Sequence, residues 1–268
     1  MTETSDPTPA TSRLGQFFAG PRLGLAALAL SVVALALAIA PYATGGDFDG
    51  RVRSYLLNNP EILQEVSDKL QQKAEQDQIA QVRVHAEQMS ARIAANPALL
   101  AIDPRDPTFG PADARVTVVE FFDYRCPGCK ATAPEVLQLM QTHPDVRFVF
   151  KDWPILDRGS EDTSHYAARA AQAAHRQGKY LPVFRALMAE PALDKAAIDR
   201  ILAANGVAMP AARSAMAGPE IARHLADIQM TAVNLGLQGT PTFFINGRAS
   251  ASIQPADIDR AIRAAKAR

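Results

Sequence analysis

The sequence predicts an α/β protein in which a βαβ unit and a ββα unit are split by a long helical block. A transmembrane helix and a helical stalk precede this part. Three observations carry the prediction. The apolar run Val116 to Phe122 reads as a buried strand, and a helical pattern follows it at once, opening on Cys126-Pro127-Gly128-Cys129. A second strand-like run, Val146 to Lys151, comes after that helix. Near the C-terminus, Thr242 to Ile245 ends on Asn246-Gly247, a strong hairpin signal, and a helix over Ser252 to Lys266 with Pro255 in its first turn closes the chain.

Composition sets the frame. At 268 residues the chain exceeds one typical domain. Its 28 basic and 28 acidic residues cancel, so no electrostatic argument favours a nucleic-acid partner. Aromatic residues make up 6%, too few for a base-stacking platform.

In chain order, residues 1–22 are rich in Thr, Ser and Pro and are expected to be a disordered tail. Leu23 to Ala40 is an uncharged apolar run of 18 residues. At ~1.5 Å per residue it just spans a hydrocarbon core of ~30 Å. A transmembrane anchor is therefore expected over 23–42. A cleaved signal peptide is the competing reading. Against it stand the length of the run, the 22 residues before it, and Pro41 after Ala38-Ile39-Ala40. Arg13 and Arg22 lie before the run and Arg51 and Arg53 after it, so charge orients it weakly. The cysteines decide the orientation, because a lone dithiol motif suits an oxidising compartment. The tail is then cytoplasmic and the rest extracytoplasmic.

Residues 47–100 are helical in character, with Asn59-Pro60-Glu61 as a helix restart. Ile62, Leu63, Val66 and Leu70 share a face. Ile79, Val82, Ala86, Met89 and Ile93 follow the 3-4 spacing of a coiled-coil seam, after a polar stretch from Gln71 to Gln78. Two readings stand: an oligomerisation stalk, or a linker helix lying on its own domain. Asp103 to Ala114, with Pro104, Pro107 and Pro111, reads as a loop leading into a domain over 103–268. Within that domain an Ala-rich helical stretch runs from about 160 to 235, with breaks near Gly178 and Gly206.

The chemistry centres on the two cysteines, the only ones in the chain. A cysteine that opens a helix has its thiolate stabilised by unpaired N–H groups and the positive end of the dipole. Cys126 is thus the candidate nucleophile. Cys129, one turn further in, would resolve a mixed disulfide by attacking Cys126. An inert disulfide and a Cu(I) site are the competing readings. Glu120 interrupts the apolar run of the first strand, and a carboxylate there is costly unless partnered or neutral; the alternative is an exposed edge. His85, His143, His165, His175 and His224 show no metal spacing and read as surface or helix residues. No metal ligand set and no cofactor are expected.

A βαβ unit and a ββα unit with C-x-x-C opening the first helix is the thioredoxin pattern. Glu120-Phe121-Phe122 with Cys126-Pro127-x-Cys129, and Gly239-Thr240-Pro241-Thr242-Phe243-Phe244-Ile245-Asn246-Gly247, resemble the DsbA family of thiol–disulfide oxidoreductases, which carries such a helical insertion. Asn58-Asn59-Pro60-Glu61-Ile62 resembles the N-terminal segment of its ScsC-like, suppressor-of-copper-sensitivity branch. The resemblance implies a raised pKa for Glu120 and proton transfer with Cys129. It also implies a structural kink at Pro134 and a cis Thr240-Pro241 bond facing the dithiol, with Thr240 touching substrate. Trp153 after the second strand would line a substrate groove or sit in the core. The implied protein is anchored in a bacterial inner membrane by a single pass, with its catalytic domain in the periplasm. It would form, reduce or isomerise disulfides in cysteine-containing secreted proteins, together with a membrane redox partner that reoxidises or reduces it. The branch implies a possible homotrimer. Copper binding through the two thiolates is the alternative function.

Overall fold

A computed structural model describes residues 21–43 and 48–268, with side chains described over 24–40 and 48–268. The expected tail therefore lies, as far as residue 20, outside the described residues. The chain divides into two compact units, Met1–Ala74 and Glu75–Arg268.

The first unit contains α1 (Pro21–Ala43), α2 (Phe48–Asn58) and the start of α3 (Glu61–Ala95). The segment expected to anchor the chain is helical, and its apolar side chains, Leu25, Leu28, Leu35 and Leu37 among them, are exposed. Among the described residues no helix is long and apolar enough to cross a membrane; the described side chains of α1 stop at 24 and 40. Asn59 separates α2 from α3 as expected, and its side-chain amide donates to the Tyr55 carbonyl. Phe48, Tyr55, Leu57, Leu63, Val66 and Leu70 are all exposed.

The second unit is a five-stranded sheet in the order β1-β3-β2-β4-β5: β1 (Thr108–Phe109), β2 (Thr117–Phe122), β3 (Arg147–Asp152), β4 (Thr242–Ile245) and β5 (Arg248–Ala249). β2 is central, parallel to β3 and antiparallel to β4. Because it is covered on both faces, it reads as a continuous apolar run rather than an alternating one. β1 lies in the stretch read from its prolines as loop only. Asn246 (φ 47) and Gly247 (φ 78) make the expected tight turn, which needs positive φ at both positions. The Asn246 side chain ties this turn to the start of β2, accepting from the Thr117 N–H and donating to the Arg115 carbonyl.

Helix α4 (Pro127–Thr142) follows β2, and α5 (Thr163–His175), α6 (Tyr180–Ala189), α7 (Lys195–Ala204), α8 (Met209–Ala217) and α9 (Pro219–Leu235) form the insertion. α10 (Pro255–Lys266) closes the chain. Alanines 167, 168, 170, 171, 173 and 174 of α5 are buried, and so small a surface lets four other helices, α6 to α9, approach it closely. Phe122 meets Phe150 and Phe184 edge to face on one side of the sheet, with Tyr124 and Tyr180 around them. On the other side Phe121 packs against Trp153 and Phe244. Trp153 is a core residue, its indole N–H donating to Gln229, and not a groove residue.

One expectation needs correction, and of the two readings of α3 the helix lying on its own domain holds for its last turns. The apolar seam of α3 does not act as one surface. Ile79 and Val82 are exposed, whereas Ala86, Met89 and Ile93 are buried in the core of the second unit. The Ser90 hydroxyl accepts from the Ala249 N–H of β5, and Arg92 donates to the Leu235 carbonyl. The last turns of α3 thus belong to the domain that was expected to begin at 103. The histidines, read as surface or helix residues, include two buried ones, His143 at the C-terminal end of α4 and His224 in α9. His143 is buried against Asp259, and His224 is buried beside Asp106. Asp106 also pairs with buried Lys151 at 2.6 Å, so the loop before β1 is tied to β3 by an ion pair without solvent.

Candidate active site

Cys126 is the residue before the first turn of α4, and Pro127 occupies that turn, where a missing N–H costs nothing. The Cys126 side chain is 7% exposed and that of Cys129 0%, and both are free thiols. The Cys126 sulfur lies 3.2 Å from the Thr240 carbonyl oxygen, and the Thr240-Pro241 bond is cis. A Cβ added to Gly128 would stand 3.2 Å from Pro241 Cδ and 3.7 Å from the Cys126 sulfur. The residue type between the cysteines thus lets Pro241 sit close over the dithiol turn. The expected constellation of Cys126, Cys129, Thr240 and Pro241 is brought together in space from segments more than a hundred residues apart.

The two sulfurs differ sharply. The Cys126 pKa is lowered to about 5, chiefly by the hydrogen bond from the Cys129 thiol, then by Thr240 and the Cys129 and Gly128 N–H groups, against burial. Cys129 is pushed upward by burial, by its hydrogen bond to Cys126 and by the negative charge of Glu120. At neutral pH the first sulfur is therefore an anion and the second a proton donor to it.

Glu120 is 2% exposed in the central strand, opposite Phe150 and Phe243, so it does not lie on an edge. Neither carboxyl oxygen has a hydrogen-bond partner among the described residues. Burial, followed by the charges of Asp152 and Cys126, raises its pKa to about 8. Asp152 is another buried carboxyl. It pairs in register with Phe122, on the same face as Glu120, and is held by Gln172 at 2.5 Å and Tyr180 at 3.2 Å. Burial raises it to about 7, although those bonds and one from Tyr124 oppose the shift.

Asp123 sets the turn into α4. Its carboxylate accepts from the N–H groups of Arg125, Ile155 and Leu156 and from the Ser164 hydroxyl. Its carbonyl accepts from the Cys126 N–H. Neither Asp123 nor Asp152 was singled out from the sequence. For Asp152 a signal existed, a carboxylate at the end of an apolar strand. Among the described residues no three His, Cys, Asp or Glu side chains gather as a metal site.

The sequence model of the thioredoxin family matches residues 103–264, more than half of the chain. The chain belongs to the thioredoxin family. Ahead of this thioredoxin domain, residues 47–77 match the family described as copper resistance protein ScsC N-terminal domain. A thioredoxin-like oxidoreductase from Silicibacter pomeroyi is 35% identical, with a TM-score of 0.57 over 62% of this chain and 95% of that one. The catalytic domain of Proteus mirabilis ScsC is 22% identical and shares the fold, with a TM-score of 0.59 over 67% of this chain and 99% of that one. A thiol–disulfide exchange protein, alpha-DsbA2 of Wolbachia pipientis, is 21% identical and likewise shares the fold, with a TM-score of 0.60 over 69% of this chain and 97% of that one. A Na(+)/H(+) antiporter NhaA of Salinispora tropica is 34% identical over 152 residues, which is 56% of this chain and 23% of the antiporter. The chain spans about a quarter of the length of the curated relatives it matches.

Proposed function

We propose that this protein is a membrane-anchored, extracytoplasmic thiol–disulfide oxidoreductase that acts on cysteine-containing secreted proteins through Cys126 and Cys129. The observation that carries the reading is the opposed shift of the two sulfurs across one turn of α4, the first lowered to about 5 and the second pushed up. An inert pair has no use for that difference, and nucleophilic exchange depends on it.

The exchange runs as two displacements. The Cys126 thiolate attacks one sulfur of a substrate disulfide, forming a mixed disulfide and releasing a substrate thiolate, which takes up a proton. Cys129 then gives up its proton and attacks the Cys126 sulfur. The Cys126–Cys129 disulfide forms, the second substrate thiolate leaves, and the substrate has gained two electrons and two protons. In reverse the oxidised pair forms disulfides in the substrate, and a membrane partner must then remove the electrons. Glu120 accepts the Cys129 proton in its ionised form, which grows in population as the pH approaches about 8, and the protonated carboxyl returns it in the reverse direction. Thr240, with its carbonyl beside the reacting sulfur, pairs with the backbone of an extended substrate.

The apolar run from Leu23 to Ala40 supports the anchor and a catalytic domain in the periplasm. The exposed apolar side chains of α2 and early α3 support an oligomer, with a trimer as the state proposed. An oligomer presenting several reduced sites works as an isomerase.

Insulin reduction in the presence of dithiothreitol tests the proposal. The full chain in detergent is expected to accelerate it. Cys126→Ser abolishes the acceleration, and Cys129→Ser leaves a trapped mixed disulfide with the substrate. A Cys126→Ser variant as active as the parent overturns the reading.

A further inference from the structure

The exposed side of the last turns of α3 faces a groove of about 970 Å³ that adjoins the dithiol. One wall comes from α3, with Gln78, Val82 and His85. The other comes from the residues around Thr240 and Pro241 and from the segment ending at Ile253. Continuity with the candidate active site is direct. Pro241 and Ile253 both line the groove, and both stand against the position a Gly128 side chain would take, at 3.2 and 3.9 Å. Val82 and Ile253 are 43% and 40% exposed, so apolar surface is open on both walls.

The groove has an unusual composition. It is lined by nineteen residues, and none is Asp, Glu, Lys or Arg. At the chain's 21% charged fraction about four would be expected. Its polar groups are instead amides and hydroxyls, from Gln78, Gln81, Gln88, Gln238, Ser250 and Ser252, together with the imidazole of His85.

We infer that this groove holds the stretch of extended polypeptide next to the reacting cysteine, and that it selects uncharged flanking residues. The inference rests on the proposed exchange at Cys126 and adds a subsite supplied by the arm ahead of the catalytic domain. Glutamine amides donate to and accept from the backbone of an extended segment, whatever its sequence. Val82 and Ile253 cover its apolar side chains. A charged flank loses water on entry and meets no counter-charge, so the groove rejects it.

The test measures binding without chemistry. Short fluorescein-labelled peptides carry serine in place of the reacting cysteine, with flanks that are neutral (Gln, Val, Thr), acidic (Asp) or basic (Lys). Their anisotropy is followed against the full chain in detergent. The neutral peptide is expected to bind about fivefold more tightly than either charged one, the upper range for an exposed charge effect. Val82→Asp, at a position exposed enough to keep the fold, improves the basic peptide and weakens the acidic one by a similar factor. Ile253→Asp does the same from the opposite wall. Val233→Asp, on the exposed face of α9, changes none of the three. Equal binding of the three peptides by the parent overturns the inference, and so does a Val82→Asp shift matched by Val233→Asp. Glutathione exchange by the same preparation separates the two readings. Its absence sinks the exchange chemistry, while flank selection is judged on anisotropy alone.

Discussion

Glu120 is buried and no donor among the described residues compensates it, so the folded chain keeps it protonated far above the pH at which an unfolded chain lets the proton go. The sign follows from linkage. Between pH 4.5 and about 8 the unfolded state has lost the proton that the folded state still holds, so stability falls as pH rises through this window. Glu120→Gln removes the ionisation. The reduced variant is expected to match the parent near pH 4.5 and to exceed it by pH 8, on the order of 3 kcal/mol before any loss from burying an amide. Urea unfolding at a series of pH values checks this, and a difference that stays flat with pH refutes it. The sequence showed Glu120 because it breaks an apolar run. Asp152 ends its run, so it resembles an ordinary strand terminus, and Tyr180 and Gln172, which hold it, come from helices 20 and more residues on. Asp123 reads as a turn former, and of its four partners two arrive from the connection after β3 and one from the first turn of α5.

At the scale of elements, α3 shows what periodicity tells and what it leaves open. A 3-4 spacing identifies an apolar face without saying what covers it. Residues 79 and 82 remain open, while 86, 89 and 93 are covered by the chain's own sheet. Ile93→Ala is therefore expected to destabilise the second unit by ~2–4 kcal/mol, the usual result of emptying a buried site. Ile79→Ala should change its stability by under ~0.5 kcal/mol. Equal effects at the two positions would return the whole seam to a single interface. The strands, α4, the hairpin and the extent of the insertion were legible because each combines an apolar pattern with a terminator: Asn246-Gly247, Pro127, Gly178, Gly206. β1, two residues long, carries too little pattern to be seen.

At the scale of the molecule, the surface available for self-association lies in the first unit. Phe48, Leu57, Leu63 and Leu70 are each more than half exposed, and residues 47–77 coincide with the ScsC N-terminal match. Light scattering should find fragment 47–268 as an oligomer, a trimer on the present proposal, and fragment 75–268 as a monomer that keeps its fold. A monomeric 47–268 would make the arm a spacer and the protein a tethered oxidase or reductase.

The bond from the Ala249 N–H to Ser90 has a further consequence. A sheet is most easily recruited into unwanted assemblies at its margins, where free N–H and C=O groups invite another strand. Here both outer strands are two residues long, and the Ala249 donor on one of them is already engaged by a helix. The margins of this sheet therefore leave little free backbone for an extended chain to join. On the proposed reading, an extended client pairs at Thr240, beside the Cys126 sulfur.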